Sequence, residues 1–186
     1  ATGLRNPVGL AFHPVTGELW TTVNERDWLG DDEPPDRLDI VRQGRDYGWP
    51  YCNATGRANP EYRAEAGRCA RAERPAWTFP AHSAPLGVAF YEGAAFPGEY
   101  RGDAFVALHG SWNRSTRIGY KVVRVRVRDG RPVGAEDFVT GWLRPDGRVW
   151  GRPVDVKVGA DGALYVSDDG GGRVWRVSTE GGGSGP

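Results

Sequence analysis

Pro7-Val8-Gly9-Leu10-Ala11-Phe12, Pro85-Leu86-Gly87-Val88-Ala89-Phe90 and Pro153-Val154-Asp155-Val156-Lys157-Val158 are three versions of one short segment. Each starts at a proline and is rich in β-branched or aromatic residues, so each reads as a strand. The copies lie about 70 residues apart, which marks one unit repeated along the chain. Each is followed by a turn and a second segment opening on glycine: Gly17-Glu18-Leu19-Trp20-Thr21-Thr22-Val23, Gly102-Asp103-Ala104-Phe105-Val106-Ala107-Leu108 and Gly162-Ala163-Leu164-Tyr165-Val166-Ser167. A third strand recurs as Leu38-Asp39-Ile40-Val41-Arg42, Lys121-Val122-Val123-Arg124-Val125 and Arg173-Val174-Trp175-Arg176-Val177. An outer strand fits Ala76-Trp77-Thr78-Phe79 in the first unit and Glu136-Asp137-Phe138-Val139-Thr140-Gly141-Trp142 in the second. In the third unit it is missing, because the chain runs on into a Gly/Ser tail at residues 181–186 that is expected to be flexible.

Four-stranded units in tandem are the sequence form of a β-propeller. The expected fold is all-β, a partial propeller over residues 1–180 with three blades at about residues 4–80, 83–145 and 150–180. Propellers typically have four to eight blades. Three blades therefore imply either further blades elsewhere or copies of the chain that associate to complete the ring, since an open sheet edge invites aggregation.

Composition agrees with this reading. The 186 residues include 28 Gly, 14 Pro and eight Trp, the mark of a turn-rich β chain with enough apolar material for a core. Lys plus Arg equals Asp plus Glu at 24 each, so no net charge recruits nucleic acid or an anionic membrane surface. No apolar run approaches a membrane span, and no charged and apolar leader opens the chain. Methionine is absent and Ala1 is not a translation start, so the chain is expected to be a mature, processed or truncated product. Cys52 and Cys69 have no neighbouring His, which argues against zinc and leaves a disulfide or two free thiols. The disulfide is the expectation, and with it an oxidising compartment, periplasmic or secreted.

The sharpest chemical signal is Asn24-Glu25-Arg26-Asp27-Trp28-Leu29-Gly30-Asp31-Asp32-Glu33-Pro34-Pro35-Asp36, followed by Gly44-Arg45-Asp46-Tyr47-Gly48-Trp49-Pro50. Carboxylates set this densely among turn residues suit a loop whose oxygens surround a hard cation such as calcium. The same composition also suits a solvated loop, and the EF-hand pattern is absent.

Leu4-Arg5-Asn6-Pro7-Val8-Gly9-Leu10, the acidic insert, Tyr47-Gly48-Trp49-Pro50, Ala84-Pro85-Leu86-Gly87, Arg152-Pro153-Val154-Asp155-Val156 and Asp161-Gly162-Ala163-Leu164-Tyr165 together resemble the glucose/sorbosone dehydrogenase family. The sequence His109-Gly110-Ser111-Trp112-Asn113-Arg114 brings it nearer to the sorbosone dehydrogenase-like branch. The resemblance covers nearly the whole chain. It implies a six-bladed propeller that uses pyrroloquinoline quinone (PQQ) and calcium to oxidise a sugar, an aldose or a sorbosone-like compound, and passes electrons to an external cytochrome or quinone.

Carried over residue by residue, the resemblance assigns Arg5 and Asn6 to the cofactor and substrate, with Arg5 as the polarising group. It assigns Arg152 to a PQQ carboxylate, and places His109 near a cofactor-binding Lys of the family, with Arg114 as the alternative cation. The backbone carbonyls of Arg26 and Asp27 fall where relatives hold the cofactor's calcium, and Glu25, Asp36 and Tyr47 fall where relatives hold a second, structural calcium. Val8 and Val154 stand where relatives carry Gln and Arg. The family's general-base histidine precedes Ala1, and neither His13, in the first turn, nor His82, before a strand, is expected to replace it. The competing expectation is a non-catalytic, calcium-stabilised propeller segment used for binding or assembly.

Overall fold

A computed structural model describes residues 1–179; the Gly/Ser tail expected at 181–186 lies outside the described residues. Among the described residues, eleven strands form three antiparallel sheets. The first contains β1 (Pro7–Phe12), β2 (Leu19–Val23), β3 (Asp36–Val41) and β4 (Trp77–Phe79). The second contains β5 (Pro85–Phe90), β6 (Ala104–Leu108), β7 (Lys121–Arg128) and β8 (Arg131–Val139). The third contains β9 (Pro153–Val158), β10 (Leu164–Asp168) and β11 (Arg173–Val177). Strands follow one another across each sheet in chain order, and the third sheet has three strands among the described residues. The molecule is all-β and propeller-like.

The sheets stack face against face, and strand periodicity explains how. Alternate side chains of a strand point to opposite faces. Along β6, Ala104, Val106 and Leu108 enter a core shared with Trp20, Leu38 and Phe79 of the first sheet. Phe105 and Ala107 enter a second core with Val156, Leu164 and Val166 of the third. A strand buried on both faces reads as a continuous apolar run, and Ala-Phe-Val-Ala-Leu is one.

The three proline-led strands share one more feature. Between Pro7 and Leu10, between Pro85 and Val88, and between Pro153 and Val156, the pairing with the second strand slips by one residue. A bulge of this kind bends the strand and strengthens its twist. In the first two copies a glycine sits in the bulge and lets the next sheet approach. A Cβ at Gly9 would lie 2.2 Å from the Leu86 carbonyl oxygen, and one at Gly87 would lie 2.1 Å from Asp155 Oδ1. The Thr22 hydroxyl bridges the first interface, donating to the Leu86 carbonyl while accepting from the Gly9 N–H.

The outer strand of the second sheet begins at Arg131 rather than Glu136, because Asp129 and Gly130 both adopt positive φ (50° and 68°) and close a tight hairpin between β7 and β8. The segment Pro60–Ala70 forms short 3-10 turns. It is tied to the preceding loop by the Cys52–Cys69 disulfide, with the two Cα atoms 5.6 Å apart.

Candidate functional site

In an antiparallel meander the start of the first strand and the end of the second lie at the same end of the sheet. Arg5 and Asn6 precede β1, Asn24, Glu25 and Asp27 follow β2, His82 and Ala84 precede β5, His109 and Gly110 follow β6, and Arg152 precedes β9. All of them line one cleft of about 460 Å³, together with Asp36, Trp112 and Asn113. Loops from three sheets thus converge on one site, as expected where a rigid scaffold positions functional loops.

The cleft is wired by hydrogen bonds between the sheets. Arg5 Nη1 donates to the Asn24 carbonyl at 3.1 Å, its Nη2 lies 3.9 Å from Asp27 Oδ2, and its guanidinium lies 5.7 Å from the centre of the Trp49 ring. Asn24 Nδ2 donates to the Pro85 carbonyl at 3.2 Å. Asn113 Nδ2 donates to Asp27 Oδ1 at 2.7 Å and approaches His82 Nδ1 at 3.3 Å. His82 Nε2 lies 2.8 Å from the Gly30 carbonyl oxygen, so Nε2 carries a proton and Nδ1 is free to accept. Arg152 donates from Nε and Nη2 to the carbonyls of His109 and Gly110 at 3.3 and 3.2 Å. His109 Nε2 lies 2.9 Å from Asp169 Oδ1 in the third sheet.

Of the residues singled out from the sequence, Arg5, Asn6, Glu25, Asp27, Asp36, His109 and Arg152 meet at the cleft. Arg114 does not line it. Its guanidinium donates to the carbonyls of Asp31 and Ala81 and to Asp32 Oδ1, clasping the acidic insert to the loop after β6. The Arg26 side chain turns away to a bidentate pair with Glu61 at 2.6 and 2.9 Å. Tyr47 is buried, its hydroxyl donating to the Ile40 carbonyl at 2.6 Å and its own carbonyl accepting from Arg37 Nη1 at 3.0 Å. His13 is also buried, with Nδ1 accepting the N–H groups of Val15 and Thr16 to close the first turn. His82, Asn24 and Asn113 line the cleft without having been assigned to it from the sequence.

Two carboxyl groups at the cleft are held above their ordinary range. Burial pushes Asp36 from 3.8 up to about 6, against the pull of the Glu25 and Ala84 N–H groups that donate to its two oxygens at 2.8 and 2.9 Å. Burial likewise raises Glu25, with Arg37 opposing. Glu25 Oε2 and Asn113 Oδ1 are buried acceptors without a hydrogen-bond partner in the protein. Unpaired oxygens beside Asp27 suit a hard cation or a donor-bearing ligand, and two guanidiniums with several amides suit the carboxylates and carbonyls of an acidic orthoquinone. The residues present fit PQQ and one calcium.

The TrAA12-like family matches the chain over residues 1–180. An uncharacterised protein of Borreliella burgdorferi is 37% identical over 184 residues, covering 97% of this chain and 48% of its own length. The Escherichia coli aldose sugar dehydrogenase YliI is 32% identical over 188 residues, covering 95% of this chain and 42% of its own. The chain thus spans about half the length, or less, of the curated relatives it matches. Among solved structures, the Trichoderma reesei carbohydrate-active enzyme of family AA12 superposes with a TM-score of 0.79 at 25% identity, over 92% of this chain and 52% of that one. The PQQ domain of Coprinopsis cinerea pyranose dehydrogenase shares the fold, with a TM-score of 0.72 at 24% identity over 95% and 54%.

Proposed function

The chain belongs to the TrAA12-like family, and from that premise we propose that it carries part of the cofactor site of a PQQ- and calcium-dependent sugar dehydrogenase. Relatives named as sugar dehydrogenases or carbohydrate-active enzymes support sugar oxidation in general. The observation that carries the finer reading is the convergence of Arg5, Asn6, Asp27, His109 and Arg152 from three sheets on one cleft.

PQQ, held there with calcium, would supply an electrophilic orthoquinone as the hydride acceptor. Arg5 and Arg152 would hold its acidic and carbonyl oxygens with the N–H donors not already spent on backbone carbonyls, and Asn6 would add an amide. The Arg26 and Asp27 carbonyls, with Glu25 beside them, offer oxygens to the cation. Asn113 fixes the Asp27 carboxylate and leaves His82 in its Nε2-protonated form. Trp112 forms part of the wall. In this reading the three sheets are blades of a six-bladed ring, completed by further chain or by a second copy. The setting is periplasmic or secreted, and an external cytochrome or quinone takes the electrons.

Calorimetric titration with PQQ in excess calcium tests this. Saturable binding is expected, weakened about tenfold or more by Arg5→Ala or Arg152→Ala, the loss of one charge-assisted contact. No binding of PQQ at any calcium concentration would overturn the reading in favour of a non-catalytic propeller segment. Dye reduction with a panel of aldoses and ketoaldoses then reports the substrate.

A further inference from the structure

The face of the first sheet turned away from its neighbour carries charge instead of apolar side chains. Arg37 and Asp39 alternate with Leu38 and Ile40 along β3, so they point together to that face, where the loop from Gly44 to Arg74 covers them. Arg37 is 2% exposed and Asp39 is fully buried. Arg37 Nε lies 2.9 Å from Asp39 Oδ2, and Nη2 donates to Asp39 Oδ1 at 2.9 Å. Nη1 donates to the Tyr47 carbonyl at 3.0 Å and lies 3.5 Å from Glu25 Oε1. The guanidinium also stands 5.8 Å from the centre of the Tyr47 ring.

Glu25 and the Tyr47 carbonyl are two of the oxygens that the sequence resemblance gives to a structural calcium. In this chain they converge on a side-chain cation instead. We propose that Arg37 is a built-in replacement for that metal, and that the cluster around it holds no calcium. A calcium ion bound to the Tyr47 carbonyl would stand within a few ångströms of the guanidinium, and two cations that close in a buried site repel strongly. The guanidinium already pairs with Asp39, donating to Oδ1, and spends a further donor on the Tyr47 carbonyl, so its positive charge stands where the metal's would, although Glu25 Oε2 accepts no hydrogen bond.

The consequence reaches the cleft. Glu25 leads into the acidic insert and Tyr47 leads into the Trp49-Pro50 turn, so Arg37 ties both to β3 with a cation that cannot dissociate. The loops around the cleft then keep their positions when calcium is withdrawn, and the ion's role is confined to the cleft itself. This inference is independent of the redox reading, since a failure of PQQ to bind would leave it untouched.

Two measurements on the full chain test it. Crystals of the unaltered protein soaked in terbium are expected to show no anomalous peak within coordination distance of the Tyr47 carbonyl; a peak there would overturn the proposal. Arg37→Ala empties the cation position and leaves its carboxylates and carbonyl. Calcium at about a hundredfold excess over its Kd is expected to raise the melting temperature of this variant by roughly 5–10 °C more than that of the parent. A folded Arg37→Ala protein that responds to calcium no more than the parent would overturn the replacement. If the variant folds only when calcium is present, the proposal is supported, and if it does not fold at all, the terbium map decides.

Discussion

Asp36 shows how a single group couples the cleft to stability. Its two oxygens accept the N–H groups of Glu25 and Ala84, joining the acidic insert to the turn before β5. Burial raises its pKa from 3.8 to about 6. An acid whose pKa is raised on folding contributes stability that is full below its unfolded value and lost as pH rises through its folded value, here between about pH 4 and pH 6. Relative to an Asp36→Asn variant, the parent should therefore gain about 2 kcal/mol on going from pH 7.5 to pH 4.5. Urea denaturation at the two pH values measures the gap, and an unchanged gap would refute the assignment. At this scale the sequence was only partly readable. Arg5, Asn6, Asp27, His109 and Arg152 were assigned through the family resemblance of the motifs that hold them, and they line one cleft. Arg37 was not, because a charged residue inside a strand reads as solvent-facing until the covering loop is known. His82 was passed over for a similar reason: its φ of 66° turns it into the cleft, and nothing in the local sequence signals that turn.

The elements are held together by close approach as much as by apolar area. Gly87 lies in the bulge of β5 directly against Asp155 of β9, and its missing Cβ is what allows the contact. Gly87→Ala would place a methyl group 2.5 Å from the Asp155 Cα, where backbone must move. Overpacking of this kind costs about 1–3 kcal/mol, and the upper end is expected here because no flexible side chain can absorb it. Thermal or urea unfolding checks the loss, and a stability within about 0.5 kcal/mol of the parent would show that the sheets slide freely past one another. The repeated strands were the most readable elements, since a proline start, an apolar run and a following glycine turn recur three times. The start of β8 at Arg131 is hard to read although Asp129-Gly130 is a strong hairpin signal, because the repeated arginines between Arg124 and Arg131 mask the strands on either side. The 3-10 turns of Pro60–Ala70 carry no apolar period, so only the disulfide marks that segment as ordered.

The whole molecule is asymmetric in what it covers. Its middle sheet is buried on both faces, whereas the outer flank of the first sheet is not. Leu10 and Phe12 project to the same side of β1 and are 61% and 71% exposed, and Val8, in the bulge before them, is 44% exposed. Gly9 and Ala11 face the second sheet. At the other end, Val174 of β11 is 70% exposed on a sheet with three described strands. Apolar rows of this kind beside sheet edges mark surfaces that bind something. A preceding sheet of a longer chain would cover the β1 row, and so would the third sheet of another copy. In the second case, two copies related by a two-fold axis form the same contact twice, and three sheets from each close a ring of six. The 186-residue chain by itself is therefore expected to self-associate, with light scattering at tens of micromolar giving twice the monomer mass. Leu10→Lys with Phe12→Thr puts charge and polarity into the row and should return it to monomer, with the fold retained by circular dichroism because neither side chain belongs to the buried core. A parent chain that is monomeric at this concentration would show that the row is covered only by further chain.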